Sequence, residues 1–130
     1  MFIDDYKKGW AFRYLREAKA DLETAEKTLT PLVAISVATL AMKKAQAAVY
    51  YSLGDPAYLD PIIRQITEGE ILVKDPLLNC LVRIERKIIV RSEMPEATTK
   101  YEALKEAGQI IEVAKDIVEA VTGGKTEEYT

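Results

Sequence analysis

The 130-residue sequence contains no histidine. That removes the side chain most often used as a general base near neutral pH and as a nitrogen ligand for transition metals. Ser-His-Asp triads, Cys-His dyads, HExxH zinc sites and the Glu-x-x-His di-iron sites of helical bundles are excluded together. Cysteine occurs once, at Cys80, which rules out a disulfide within the chain. The N-terminus lacks the basic and apolar regions of a secretory leader, so the sequence predicts a cytoplasmic protein. Long hydrophobic runs are missing too. The longest uncharged stretch, Thr28 to Met42, is shorter than a bilayer span and carries Thr, Ser and Pro, which predicts a soluble chain with no membrane partner. An excess of positive charge is also lacking: the net charge is −3, so no overall field holds nucleic acid non-specifically. A local basic patch remains open.

What is present is an ordinary globular composition, 48% apolar and 30% charged, enough for one hydrophobic core. The sequence predicts a single domain over residues 1–124 and a frayed tail over 125–130 after Gly123-Gly124. Thr30-Pro31, Asp55-Pro56 and Asp75-Pro76 each combine a capping oxygen with a proline suited to the first helical position. Thr99 and Glu102 have the spacing of a capping box. Asp60-Pro61 kinks or restarts the third segment. Apolar residues between these signals recur three or four apart, as in Leu15, Ala18, Leu22, Ala25 and Leu29, or Leu77, Leu81, Ile84 and Ile88. The reading is an all-α, up-and-down bundle of about five helices near 4–29, 31–53, 56–67, 76–91 and 98–122. Only Glu70 to Val73 leans toward strand.

Residues 30–54 hold no acidic side chain, and Lys43 and Lys44 are their only formal charges. A helix apolar on nearly every side must be covered on nearly every side. The second helix is therefore expected at the centre, packed by the first, fourth and fifth. Ala34, Ala38, Ala41, Ala45 and Ala48 would let neighbours approach closely. A second subunit would cover whatever the bundle leaves open, most simply in a two-fold homodimer.

Basic excess falls on the second and fourth helices. Arg83, Arg86, Lys87 and Arg91 share one face by their spacing, and one of Lys43 and Lys44 is free to join it. Such a face either binds phosphates through arginine forks and lysine charges or is a solvated surface paired with Glu85, Glu93 or the acidic last helix. The aromatic residues at the helix ends, Tyr6, Trp10, Phe12, Tyr14, Tyr50, Tyr51 and Tyr58, are expected to close the core, with base stacking as the alternative. Cys80 is expected as a buried structural thiol. Glu68 and Glu70 flank Gly69 but are too few for a Mg²⁺ or Ca²⁺ site, and no metal or cofactor is predicted.

The stretch YLREAKADLETAEKTL (Tyr14 to Leu29) resembles the first long helix of the HEPN superfamily, small all-α domains of prokaryotic nucleotide-binding and toxin systems. LAMKKAQAAVYYSLGDP is similar to the alanine-rich second helix of those domains. LLNCLVRIERKIIVR and YEALKEAGQIIEVAKDIVEAV resemble their last two. The likeness spans residues 11–122. It implies a homodimeric bundle, a groove for a phosphate-bearing ligand (nucleotide or RNA) and a nucleotidyltransferase-like partner. Many members are metal-independent ribonucleases whose motif is arginine, four to six residues, then histidine. Counted from Arg83 the histidine slot falls on Ile88, Ile89 or Val90, and from Arg86 on Arg91, Ser92 or Glu93. The acid/base half is missing, so no catalytic residue is carried over. The resulting expectation is a non-catalytic interaction or regulatory module with Arg83, Arg86, Lys87, Arg91, Lys43 and Lys44 as phosphate contacts. A ribonuclease or nucleotide-processing enzyme with a histidine-free site is the alternative.

Overall fold

The computed structural model describes residues 5–125, so from residue 126 on the expected frayed tail lies outside the described residues. Five α-helices follow in order: α1 (Asp5–Lys27), α2 (Pro31–Leu53), α3 (Pro56–Glu68), α4 (Pro76–Glu93) and α5 (Lys100–Thr122). A short 3₁₀ turn at Pro95–Ala97 joins the last two, and no strand occurs among the described residues. The architecture is an all-α bundle, as the spacing predicts.

The boundaries follow from local chemistry. Asp55 accepts from the Ala57 amide at 2.9 Å and Asp75 from the Leu78 amide at 3.0 Å, each ahead of a proline with no N–H to satisfy. Thr99 accepts from the Glu102 amide at 3.1 Å, while the Glu102 carboxylate takes the Thr98 hydroxyl instead of closing the box. Thr30 makes no side-chain cap and only holds the extended backbone that a following proline demands. α3 runs through Pro61 without a break. Gly123 ends α5 in the left-handed region, at φ 75°, with its N–H on the Glu119 carbonyl.

α1 stops two residues earlier than the apolar spacing implies. Thr28 to Thr30 form the turn, and Leu29 is 92% exposed instead of joining the core stripe. The Lys100 ammonium from α5 donates to the Glu26 and Thr28 carbonyls at 3.2 and 2.7 Å, placing a cation on the carbonyls that the helix end leaves open.

α2 takes the central place, with α1, α5, α4 and α3 packed on it. Its seam is alanine: Ala34, Ala38, Ala41, Ala45 and Ala48 are fully buried. The helices packed on it, α1 and α5, bury alanines as well, Ala11, Ala18 and Ala25 on α1 and Ala103, Ala107 and Ala114 on α5. Side chains this short bring helix axes toward the near end of the usual 8–10 Å range. Phe12, Ile35, Met42, Val49, Ile63 and Leu81 supply the apolar mass around the seam. By length and composition α2 would cross a bilayer, but about half of that stretch is buried inside the bundle. Coverage is less complete than its composition implies. Leu32, Val33 and Leu40 remain about half exposed along one flank.

Polar groups in this core are satisfied locally. Thr39 and Ser52 donate to the Ile35 and Val49 carbonyls of their own helix. Buried Glu85 of α4 accepts from the Gln46 amide, which also reaches the Tyr50 hydroxyl. Burial first, and the nearby Glu85 charge second, push the Tyr50 phenol well above its ordinary value. In the unfolded chain that phenol ionises near pH 10, while in the folded state it stays neutral. Stability therefore falls as the pH rises beyond about 10, because the unfolded chain then binds fewer protons. Urea midpoints at pH 8 and pH 11 should show this loss, and Tyr50→Phe should reduce it.

A basic groove between α4 and α5

The last two helices both pack on α2, and a groove of about 460 Å³ is lined by residues of the two. Asp75-Pro76 sets the start of α4, and burial of Leu81, Ile84 and Ile88 fixes its rotation. The residues three and four apart on the other face, Arg83, Arg86 and Lys87, then line the groove together with Cys80 and Ile84. α5 contributes Gln109, Ile110 and Val113. Ile84 and Ile110 are about 5% exposed and form an apolar floor beneath three exposed cations. A smaller recess of about 170 Å³ continues past Arg86 and Lys87 to Val90, Arg91 and Glu106.

Charge pairing divides the six basic residues singled out in the sequence. Arg91 is bound to Glu106 of α5, Nη2 to Oε1 at 2.6 Å and Nε to the same oxygen at 2.7 Å, with both side chains less than one-fifth exposed. This pair straps α4 to α5 where the groove narrows. Lys44 turns the other way, to Asp21 at 2.8 Å and Glu17 at 3.4 Å on α1. Its hydrogen bond to Asp21 outweighs burial and raises the lysine pKa. Lys43 is exposed on α2, and neither lysine lines the groove. The physical reason is rotation: adjacent helix positions lie about 100° apart, and α1 carries the acids. Arg83, Arg86 and Lys87 have no acidic group within ion-pair distance among the described residues. Glu85 is not available to them, since it points into the core toward Gln46.

Cys80 is a free thiol, only half-buried on the groove wall instead of enclosed in the core. The α5 side of the groove was not singled out by the sequence, and the Arg91–Glu106 strap is the pairing with the acidic last helix that the sequence offered without naming Glu106. Gln109, Ile110 and Val113, at i, i+1 and i+4, carry no signal distinct from an ordinary amphipathic face. The aromatic residues mostly occupy one another. Tyr14 and Tyr51 stack at 5.6 Å, Trp10 stacks on Tyr51 at 6.2 Å, and Arg13 lies 4.8 Å over the Trp10 ring. Among the described residues no group of three or more acidic or thiol ligands gathers around a metal position.

Guanidinium forks present paired N–H donors that match phosphate oxygens, and a lysine beside them adds a point charge. The floor offers apolar surface to the rest of a ligand, and the groove volume lies within the range of small-molecule sites. Fold and groove together define an all-α bundle with a basic cleft between α4 and α5. No family model, curated protein or solved structure matches the chain.

Proposed function

We propose that this protein is a non-catalytic, HEPN-like helical bundle that works as a cytoplasmic homodimeric interaction module. Its α4–α5 groove holds a phosphate-bearing ligand, a nucleotide or RNA. One observation carries the reading: Arg83, Arg86 and Lys87 converge over an apolar floor without acidic partners, while Arg91 and Lys44 are engaged in ion pairs. Three neighbouring cations repel one another, and an anion among them relieves that repulsion. Beside the three cations the groove wall carries the Cys80 thiol, the Gln109 amide and apolar surface. Arginine and lysine donate at neutral pH and do not accept protons, so their chemistry is retention of an anion.

The test uses fluorescence anisotropy with a labelled oligoribonucleotide and, separately, calorimetry with ATP, both at low salt. A hydrogen bond to a charged group contributes about 1.5–3 kcal/mol. Arg83→Ala with Arg86→Ala is therefore expected to weaken binding at least a hundredfold, at about 1.4 kcal/mol per factor of ten. Both side chains are exposed, so the melting temperature should stay within a few degrees. Equal binding by the double variant overturns the groove reading. Cleavage of the labelled RNA that disappears in the variant overturns the non-catalytic one.

A further inference from the structure

Charge in the α4–α5 groove is confined to one wall and to one short stretch of it. Arg83, Arg86 and Lys87 all come from α4, and the first and last stand about 6 Å apart along the helix axis. Toward the end of α4 the next cation is Arg91, already tied to Glu106. Toward its start the lining residue is Cys80, not a cation. The α5 wall, Gln109, Ile110 and Val113, carries no formal charge. Among the described residues no aromatic side chain lines the groove or its smaller recess. Trp10, Tyr14 and Tyr51 stack on one another on α1 and α2 instead.

A strand of RNA is held by a basic track that follows its backbone and by aromatic faces that stack its bases. The groove offers one turn of cations and no such faces. We infer that its ligand is a free nucleotide, with the phosphates on α4, the base against α5 and the Gln109 amide reading the base edge. A free nucleotide gathers several negative charges at one end, which suits three cations within about one helical turn. Its base needs a flat apolar support. Ile84 and Ile110 supply a floor, and Val113, 38% exposed, adds apolar surface that a ligand would cover. Because α4 and α5 pack on α2 and scarcely on each other, the space between them is open to that body. A primary amide sets donors beside an acceptor, the pattern that pairs with the edge of a nucleobase. Gln109 is exposed on the wall facing the cations, so it is placed to choose a ligand and not to hold the fold. This inference rests on the anion-binding reading proposed above and names its ligand.

Calorimetry at low salt tests it with the common ribonucleoside triphosphates, inorganic tripolyphosphate and the oligoribonucleotide as separate probes. At least one nucleotide should bind about tenfold more tightly than tripolyphosphate, the value of one good hydrogen bond to the base. It should also bind more tightly than the oligoribonucleotide. Gln109→Leu should erase the advantage over tripolyphosphate while leaving tripolyphosphate affinity and the melting temperature unchanged. Arg83→Ala with Arg86→Ala should weaken the nucleotide and tripolyphosphate alike. Tripolyphosphate bound as tightly as every nucleotide, or a nucleotide preference that survives Gln109→Leu, overturns this inference and leaves the anion-binding groove standing. An oligoribonucleotide that binds more tightly than every nucleotide overturns it in favour of RNA. Failure of every anion to bind removes the groove reading itself, and this inference with it.

Discussion

Replacing Ala41 and Ala45 together by leucine is expected to destabilise the protein by roughly 2–6 kcal/mol, at about 1–3 kcal/mol for each overpacked position. Both alanines are fully buried on the central helix, against helices that bury many alanines of their own. Added methylenes have no void to fill, so the helices must move apart and loosen the larger contacts of Phe12, Met42 and Val49. A domain of this size has about 5–15 kcal/mol of stability in total, so the loss is a large part of the whole. The two sites lie one turn apart and their effects will couple, which makes each single variant informative beside the pair. Urea denaturation gives the measurement. Ala47→Leu, on a partly exposed face of the same helix, should shift the midpoint by less than about 0.5 kcal/mol. Equal midpoints for the seam and control variants would mean that α2 does not approach its neighbours this closely.

The Arg91–Glu106 strap gives the second large effect, and the two halves of the pair are expected to behave differently. Arg91→Met leaves the Glu106 carboxylate, four-fifths covered, without its partner. Breaking a fully buried pair costs about 3–5 kcal/mol. This one keeps some contact with water, so about 2–4 kcal/mol is expected. Affinity for the phosphate probes should change little, because Arg91 is already engaged. Glu106→Gln instead releases Arg91 beside Arg86 and Lys87 in the smaller recess. A fourth cation then becomes available to the ligand, and binding should tighten about tenfold, the value of one added charge-assisted contact. Binding should also depend more steeply on salt if the ligand is RNA, since one more phosphate is neutralised. A loss of affinity on Arg91→Met as large as that of the Arg83 and Arg86 variant would show that Arg91 serves the ligand directly. Melting curves and anisotropy on the same samples separate these outcomes.

Asp55-Pro56, Asp75-Pro76 and Thr99 mark helix starts through bonds that span three residues or fewer, so local sequence is enough to place them. The central place of α2 was legible for a related reason: a helix without acids on any side has only a core to occupy. Its completeness as a buried element was not, because the share that the other four helices cover depends on their crossing angles. Leu29 shows the same limit at smaller scale. Its spacing continues the α1 stripe, but the turn before Pro31 takes those residues out of the helix.

Sequence by itself determined the all-α class, the order of the helices and the proline-marked starts of α2, α3 and α4, the shared face of Arg83, Arg86 and Lys87, and the absence of any imidazole. Each follows from chemical identity or from contacts within a turn or two of one helix. Only the tertiary structure decided that α4 and α5 leave a groove between them, that Arg91 is spent on Glu106, that Lys44 faces α1, and that one flank of α2 stays open. Those outcomes depend on the rotation and register of helices far apart in the chain. A shift of one residue turns a side chain by about 100°, and with it the choice between a phosphate ligand and an ion pair.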